Sequence, residues 1–279
     1  MPFFILISWV REYKYLAITS LFGQIAIFFG LGVITIYALI ATIEHTPKIY
    51  AINWKGIPVF FGMAVYTFEG IGTVIPMRSA MKEPARYPFI LDIGYILMTV
   101  TFIFFGTIGY TGYGADVNPG GITLNLPPGS VWTIITLATL VFSIFTSYPI
   151  QMFPVICILE GLIFKKNRLI SSDHFKIGPV RISLFWRKNV VRTLLVIITS
   201  LIAISIPYFS LFVSLIGSVG SSTLAFILPC LFHFKLFRAT SSKYILLLNS
   251  FIVIFGIIAS LISATVTIYQ LITAISASL

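Results

Sequence analysis

The sequence predicts an all-α integral membrane protein with about seven transmembrane helices, and three observations predict it. Of 279 residues, 58% are hydrophobic and 9% are charged, whereas an ordinary soluble domain carries roughly 25% charged residues. Mean hydropathy is +1.03. Seven stretches are apolar over, or nearly over, the ~20 residues that a helix needs to cross hydrocarbon. This composition excludes a soluble enzyme, a disordered chain and a disulfide-stapled secreted module. Cys157 and Cys230 sit singly in apolar runs, which gives neither a disulfide framework nor a metal-ligand spacing.

Taken in order, residues 1–10 (MPFFILISWV) are apolar but too short to cross, and Arg11 and Lys14 follow the run where a signal peptide would place them before it. The segment reads as the tail of a helix. The first span, 16–43, is uninterrupted, and the second, 57–77, contains Glu69. The third, 89–113, has Asp92 close to its start. The fourth, 131–164, gathers Ser143, Thr146, Ser147, Tyr148 and Gln151 around Pro149 and Pro154. Residues 165–189 read as a basic cytosolic loop. The fifth span, 190–206, is short and ends against Pro207. The sixth, 208–234, carries Gly217, Ser218, Gly220, Ser221, Ser222 and Thr223, a small-residue packing face. The seventh is 244–275. The fourth and seventh exceed a minimal span, which implies tilt or protruding ends.

Charge sets the orientation. Sixteen of the eighteen Lys and Arg fall on the side that holds the segment before the first span; Lys48 and Lys55 alone fall on the other. Cytosolic loops carry the excess of Lys and Arg, so the N-terminus is expected in the cytosol. The net charge of +10 is then a matter of topology and the lipid bilayer, with no nucleic acid implied. No nucleophile–base pair, His/Cys cluster or dinucleotide fingerprint is present, so no enzyme activity, cofactor or metal is expected.

Glu69 is the position where chemistry is expected. It lies about 18 Å from one end of its span and 13 Å from the other at ~1.5 Å per residue, and an ionisable group at that depth costs roughly 2.5–3.5 kcal/mol on insertion scales. Gly70 and Gly72 follow it. Glycine weakens a helix interior by ~1 kcal/mol against alanine, so the run Phe68-Glu69-Gly70-Ile71-Gly72 predicts an unwound or broken helix. A break frees carbonyls at one half-helix end and amide N–H groups at the next, and such pairs of ends bind zwitterions. Apolar surroundings disfavour the charged form of a carboxyl, which makes Glu69 the expected proton carrier. The competing reading is a paired structural residue, with the glycines serving close packing.

The block FFGMAVYTFEGIGTVIPMRSAMKEP (60–84), followed in order by YGADVNPGGITLNLP (113–127), SYPIQMFPV (147–155) and IPYFSLFVSLIGSVGSSTLAFILPCLFH (206–233), resembles the amino acid/auxin permease family, in its proton-coupled and vacuolar amino acid transporter branches. The resemblance implies a LeuT-type inverted-repeat fold, of which the seven spans look like the last seven of eleven helices. Residues 1–10 resemble the end of the fourth family helix, so a partial fold lacking most of the first repeat is expected. The resemblance also implies that Phe68, Glu69, Gly70, Ile71 and Gly72 form the unwound part of the sixth family helix and bind substrate, with Tyr148 and Gln151 beside that site on the eighth. It implies secondary transport of small neutral amino acids, coupled to protons through Glu69, in a plasma, lysosomal or vacuolar membrane. The alternatives are a truncated, non-transporting membrane protein that binds or regulates a full-length related transporter, and an incomplete gene model.

Overall fold

The computed structural model describes residues 4–5, 8–9, 13–44, 47–118, 120–163, 179–206, 208–238 and 240–278. Among them there is no strand, and seven helices are long and apolar enough to cross a membrane. The helical elements are α1 (Tyr13–Glu44), α2 (Ile57–Phe68), α3 (Ile71–Ala80), α4 (Tyr87–Tyr113), α5 (Val131–Ile163), α6 (Pro179–Ser205), α7 (Phe209–Ile216), α8 (Leu228–Phe237) and α9 (Lys243–Ser278). Large apolar side chains such as Phe22, Ile25, Phe89, Phe104, Ile144, Leu201 and Phe251 face outward, as a surface solvated by lipid tails allows. A helix pairs its interior backbone groups within itself, the condition that hydrocarbon imposes.

Two of the expected spans are composite. The second is α2 and α3, separated by the non-helical pair Glu69–Gly70. The sixth is α7 and α8 joined through two π-helical turns, Gly217–Ser221 and Thr223–Ile227. Proline opens α2 at Pro58, where its missing N–H costs no helical hydrogen bond, whereas Pro229 follows the second π turn inside a continuous helical stretch.

The expected loop 165–189 requires correction. Residues 164–178 lie outside the described residues, but from Pro179 onward the chain is helical. Lys188 is therefore a helical residue one turn before Arg192, and both reach the carboxylate of Glu160 on α5 (3.3 and 2.8 Å). Low hydropathy suggests a loop here, yet the stretch is helical and two of its basic residues meet an anion on another helix. Of the expected helix remnant 1–10, residues 1–3, 6–7 and 10 lie outside the described residues, while Phe4, Ile5 and Ser8 are helical.

The chain divides into two compact units. The first comprises Met1–Tyr37, Gly72–Gly94 and Leu126–Ser205. Within it, glycines let α1 approach α5: a Cβ on Gly23 would strike Thr146 and Ser143, and one on Gly30 would press on Thr139. Tyr37 and Ser130 share a hydrogen bond of 2.9 Å. Arg192, almost fully buried, donates to the carbonyl of Ser8 (3.0 Å) as well as to Glu160. The neighbouring Trp9 donates to Thr193 (3.3 Å) and meets Trp186 edge-on.

The second unit comprises Ala38–Ile71, Tyr95–Asn125 and Ile206–Leu279. Its core holds α2 against α7, the π turns and α9. Gly62 and Gly217 face each other so closely that a Cβ on Gly217 would overlap the Gly62 carbonyl, and one on Gly62 would overlap the Ser214 carbonyl. The stretch expected as a packing face is thus the surface that receives α2. Hydroxyls complete the junction. Ser214 donates to the Val59 carbonyl (2.9 Å), Ser263 to the Pro58 carbonyl (2.6 Å) and Ser260 to the Ser218 carbonyl. Ser214, Ser263 and Thr267 are fully buried.

Candidate functional site

The candidate site lies at the interruption between α2 and α3. The helical ladder runs to Phe68. Glu69 then turns to extended backbone (φ −73°, ψ 139°), while its N–H still reaches back to the Tyr66 carbonyl at 3.3 Å. Helical geometry resumes at Ile71. A helix that stops leaves its last carbonyls without intrahelical donors, and one that starts leaves its first N–H groups without acceptors. Both kinds of group occur here within a few residues.

Each end has a partner. The Glu69 carboxylate folds forward and accepts from the Ile71 N–H at 3.1 Å, so the acidic side chain occupies the N-terminal pole of α3, where helix dipoles favour negative charge. The Phe68 carbonyl, the last of α2, accepts from the Tyr95 hydroxyl at 3.2 Å. Phe102, two turns further along α4, meets the Phe68 ring edge-on with centroids 5.9 Å apart. Among the described residues no ion pair engages Glu69.

The interruption is narrower than the five residues expected. Phe68 closes α2, Glu69 and Gly70 alone are non-helical, and Ile71 and Gly72 open α3. A Cβ on Gly72 would meet nothing within 4 Å, so close packing does not account for that glycine. Phe68, Glu69, Gly70 and Ile71 belong to the second unit; Gly72 begins a segment of the first, which also holds Tyr148 and Gln151.

Within the first unit, Tyr148 and Thr199 hydroxyls lie 2.8 Å apart. Thr199 spends its proton on its own helix, at Leu195 or Val196, which makes Tyr148 the donor. Phe4 packs edge-on against the Tyr148 ring at 5.0 Å. Gln151 is exposed. Glu160 is held by Lys188 and Arg192 with only 13% of its side chain exposed.

Tyr95 was not singled out in the sequence. Its signal was there: a tyrosine well inside a span, away from the interfacial belts where the residue concentrates, needs a hydrogen-bond partner for its hydroxyl.

A family model for transmembrane amino acid transporter proteins matches residues 1–273. The chain belongs to that family. Similar proteins include vacuolar amino acid transporter 4 of Saccharomyces cerevisiae, 30% identical over 292 residues that cover 95% of this family member and 40% of the yeast protein. Vacuolar amino acid transporter 3 of the same yeast is 30% identical over 91% of the chain and 36% of its own length. Amino acid transporter AVT3C of Arabidopsis thaliana is 30% identical over 85% of the chain and 50% of its own length. The chain thus spans half or less of the length of these curated relatives. No solved structure matches it. Membership and the seven apolar helices together make it a multi-pass membrane protein.

Proposed function

We propose that this chain carries the broken-helix portion of a proton-coupled secondary transporter of small neutral amino acids, with substrate bound at Phe68–Gly72 and Glu69 as the proton site. The observation that supports it most is the hydrogen bond from the Ile71 N–H to the Glu69 carboxylate. That N–H is where the carboxylate of a bound amino acid would gain most from the α3 dipole, and Glu69 already fills it with an internal anion. Protonation neutralises Glu69, weakens its hold on the amide and frees the pole for the substrate's carboxylate. Proton and amino acid then favour each other's binding, the reciprocal coupling that symport requires.

Tyr148 and Gln151 belong to the proposal as substrate residues on the resemblance of α5 alone, and a LeuT-type architecture belongs to it on the same ground. The names of the yeast relatives support a vacuolar membrane, and the crowding of Lys and Arg on one side supports a cytosolic N-terminus.

The test is uptake of labelled alanine into proteoliposomes under an imposed pH gradient. Uptake should rise with the gradient, and Glu69→Gln should leave uptake that ignores it. A Glu69→Gln protein with undiminished pH dependence would remove Glu69 from the coupling.

A further inference from the structure

We propose that Tyr95 is a substrate-selecting residue: its phenolic oxygen, together with the Phe68 carbonyl, forms a paired acceptor for the amino group of the transported molecule. The inference rests on the function proposed above and assigns the opposite pole of the same interruption. The Tyr95 hydroxyl donates to the Phe68 carbonyl at 3.2 Å. A hydroxyl has one proton and two lone pairs, and a carbonyl has two lone pairs. Once that proton is committed, each oxygen keeps acceptor capacity, and the two acceptors stand one hydrogen bond apart. Both belong to a region made electron-rich by the C-terminal end of α2, beside the Glu69 carboxylate. A group with two or more N–H donors on a single cationic nitrogen fits this pair.

Local structure holds the phenol in place. Phe102, seven residues beyond Tyr95 on α4, grips the ring of the same Phe68 whose carbonyl Tyr95 caps. Thr99, between them, turns its hydroxyl back onto the Tyr95 carbonyl at 2.7 Å, so it does not compete for the α2 end. Tyr95 itself is half-exposed, and no second hydrogen bond to its hydroxyl is found among the described residues. A tyrosine serving only to cap the helix would discriminate nothing about a ligand's nitrogen.

The experiment counts donors at constant charge. The purified full chain in nanodiscs is titrated with alanine, N-methylalanine and N,N-dimethylalanine, which present three, two and one N–H to the site. The wild-type protein should bind the first two comparably and the dimethyl compound about tenfold or more weaker, the loss expected for one hydrogen bond to a charged group. In Tyr95→Phe only the carbonyl acceptor remains, so the N-methyl and N,N-dimethyl compounds should bind within about twofold of each other. A penalty for the second methyl that persists in Tyr95→Phe is steric and overturns the proposal. So does equal binding of all three by the wild type, a measurement that needs no variant to fold. If the wild type binds no amino acid, the function proposed above falls and takes this inference with it.

Discussion

Two acidic residues in apolar helices, Glu69 and Glu160, meet opposite fates. Glu160 accepts from Arg192 at 2.8 Å and lies 3.3 Å from Lys188, and the same Arg192 ties down the Ser8 carbonyl. Among the described residues, the Glu69 carboxylate has a single backbone N–H as its partner. Removing one member of the Glu160 cluster leaves a buried charge uncompensated. Replacing a carboxylate whose partner is a backbone amide strands no opposite charge. Glu160 is therefore fixed in a network of side chains from another helix, whereas Glu69 rests on the backbone of the helix that follows it. Both carboxyls lie in apolar sequence; what separates their roles is the company each keeps.

That contrast can be broken by measurement. The largest effect is expected for Glu160→Ala, which leaves Arg192 buried without its anion and should cost about 3–5 kcal/mol, read as loss of unfolding stability in detergent. Glu69→Gln keeps a side-chain acceptor for the Ile71 N–H and should change stability by less than about 1 kcal/mol. If the two variants melt alike, the division of roles fails. Gly217→Ala comes next, because its Cβ meets the Gly62 carbonyl and the Tyr66 Cβ. An overpacked junction of this kind costs about 1–3 kcal/mol, and the same melt should show it. Ser214→Ala removes the bond to Val59 and the partner of Thr267. It should lower stability by about 1 kcal/mol, with a size that does not depend on salt. A marked salt dependence there would mean that the hydroxyl junction of the second unit responds to charge.

The membrane class and the seven apolar helices were legible because they follow from composition and length alone. The interruption at Glu69 was legible because an acid and a glycine together oppose a helix in hydrocarbon. Its width was not, since Gly72 can adopt helical geometry and does. The start of α6 was hidden for a related reason. Arg181, Arg187 and Lys188 depress hydropathy, and only the position of Glu160 on another helix shows that two of the basic residues nearby have an anion to meet. Tyr95 was obscured in the same way, because its value depends on reaching a carbonyl on a different helix. The π turns left no trace in the pattern, since the serines and glycines that line them also make an ordinary packing face.

Those turns have a consequence of their own. A π turn contains one residue more than the α turn it replaces, so everything after it faces about 100° behind its α-helical register, one residue's rotation on an α-helix. The stretch Gly217–Ile227 therefore carries surplus chain. Excising one residue there would relax a turn to α-helical form while Phe209–Ile216 and Leu228–Phe237 kept their original faces, whereas the same excision within either flanking helix would rotate its remainder out of register. In evolution as in engineering, length change in this span has a reserved place.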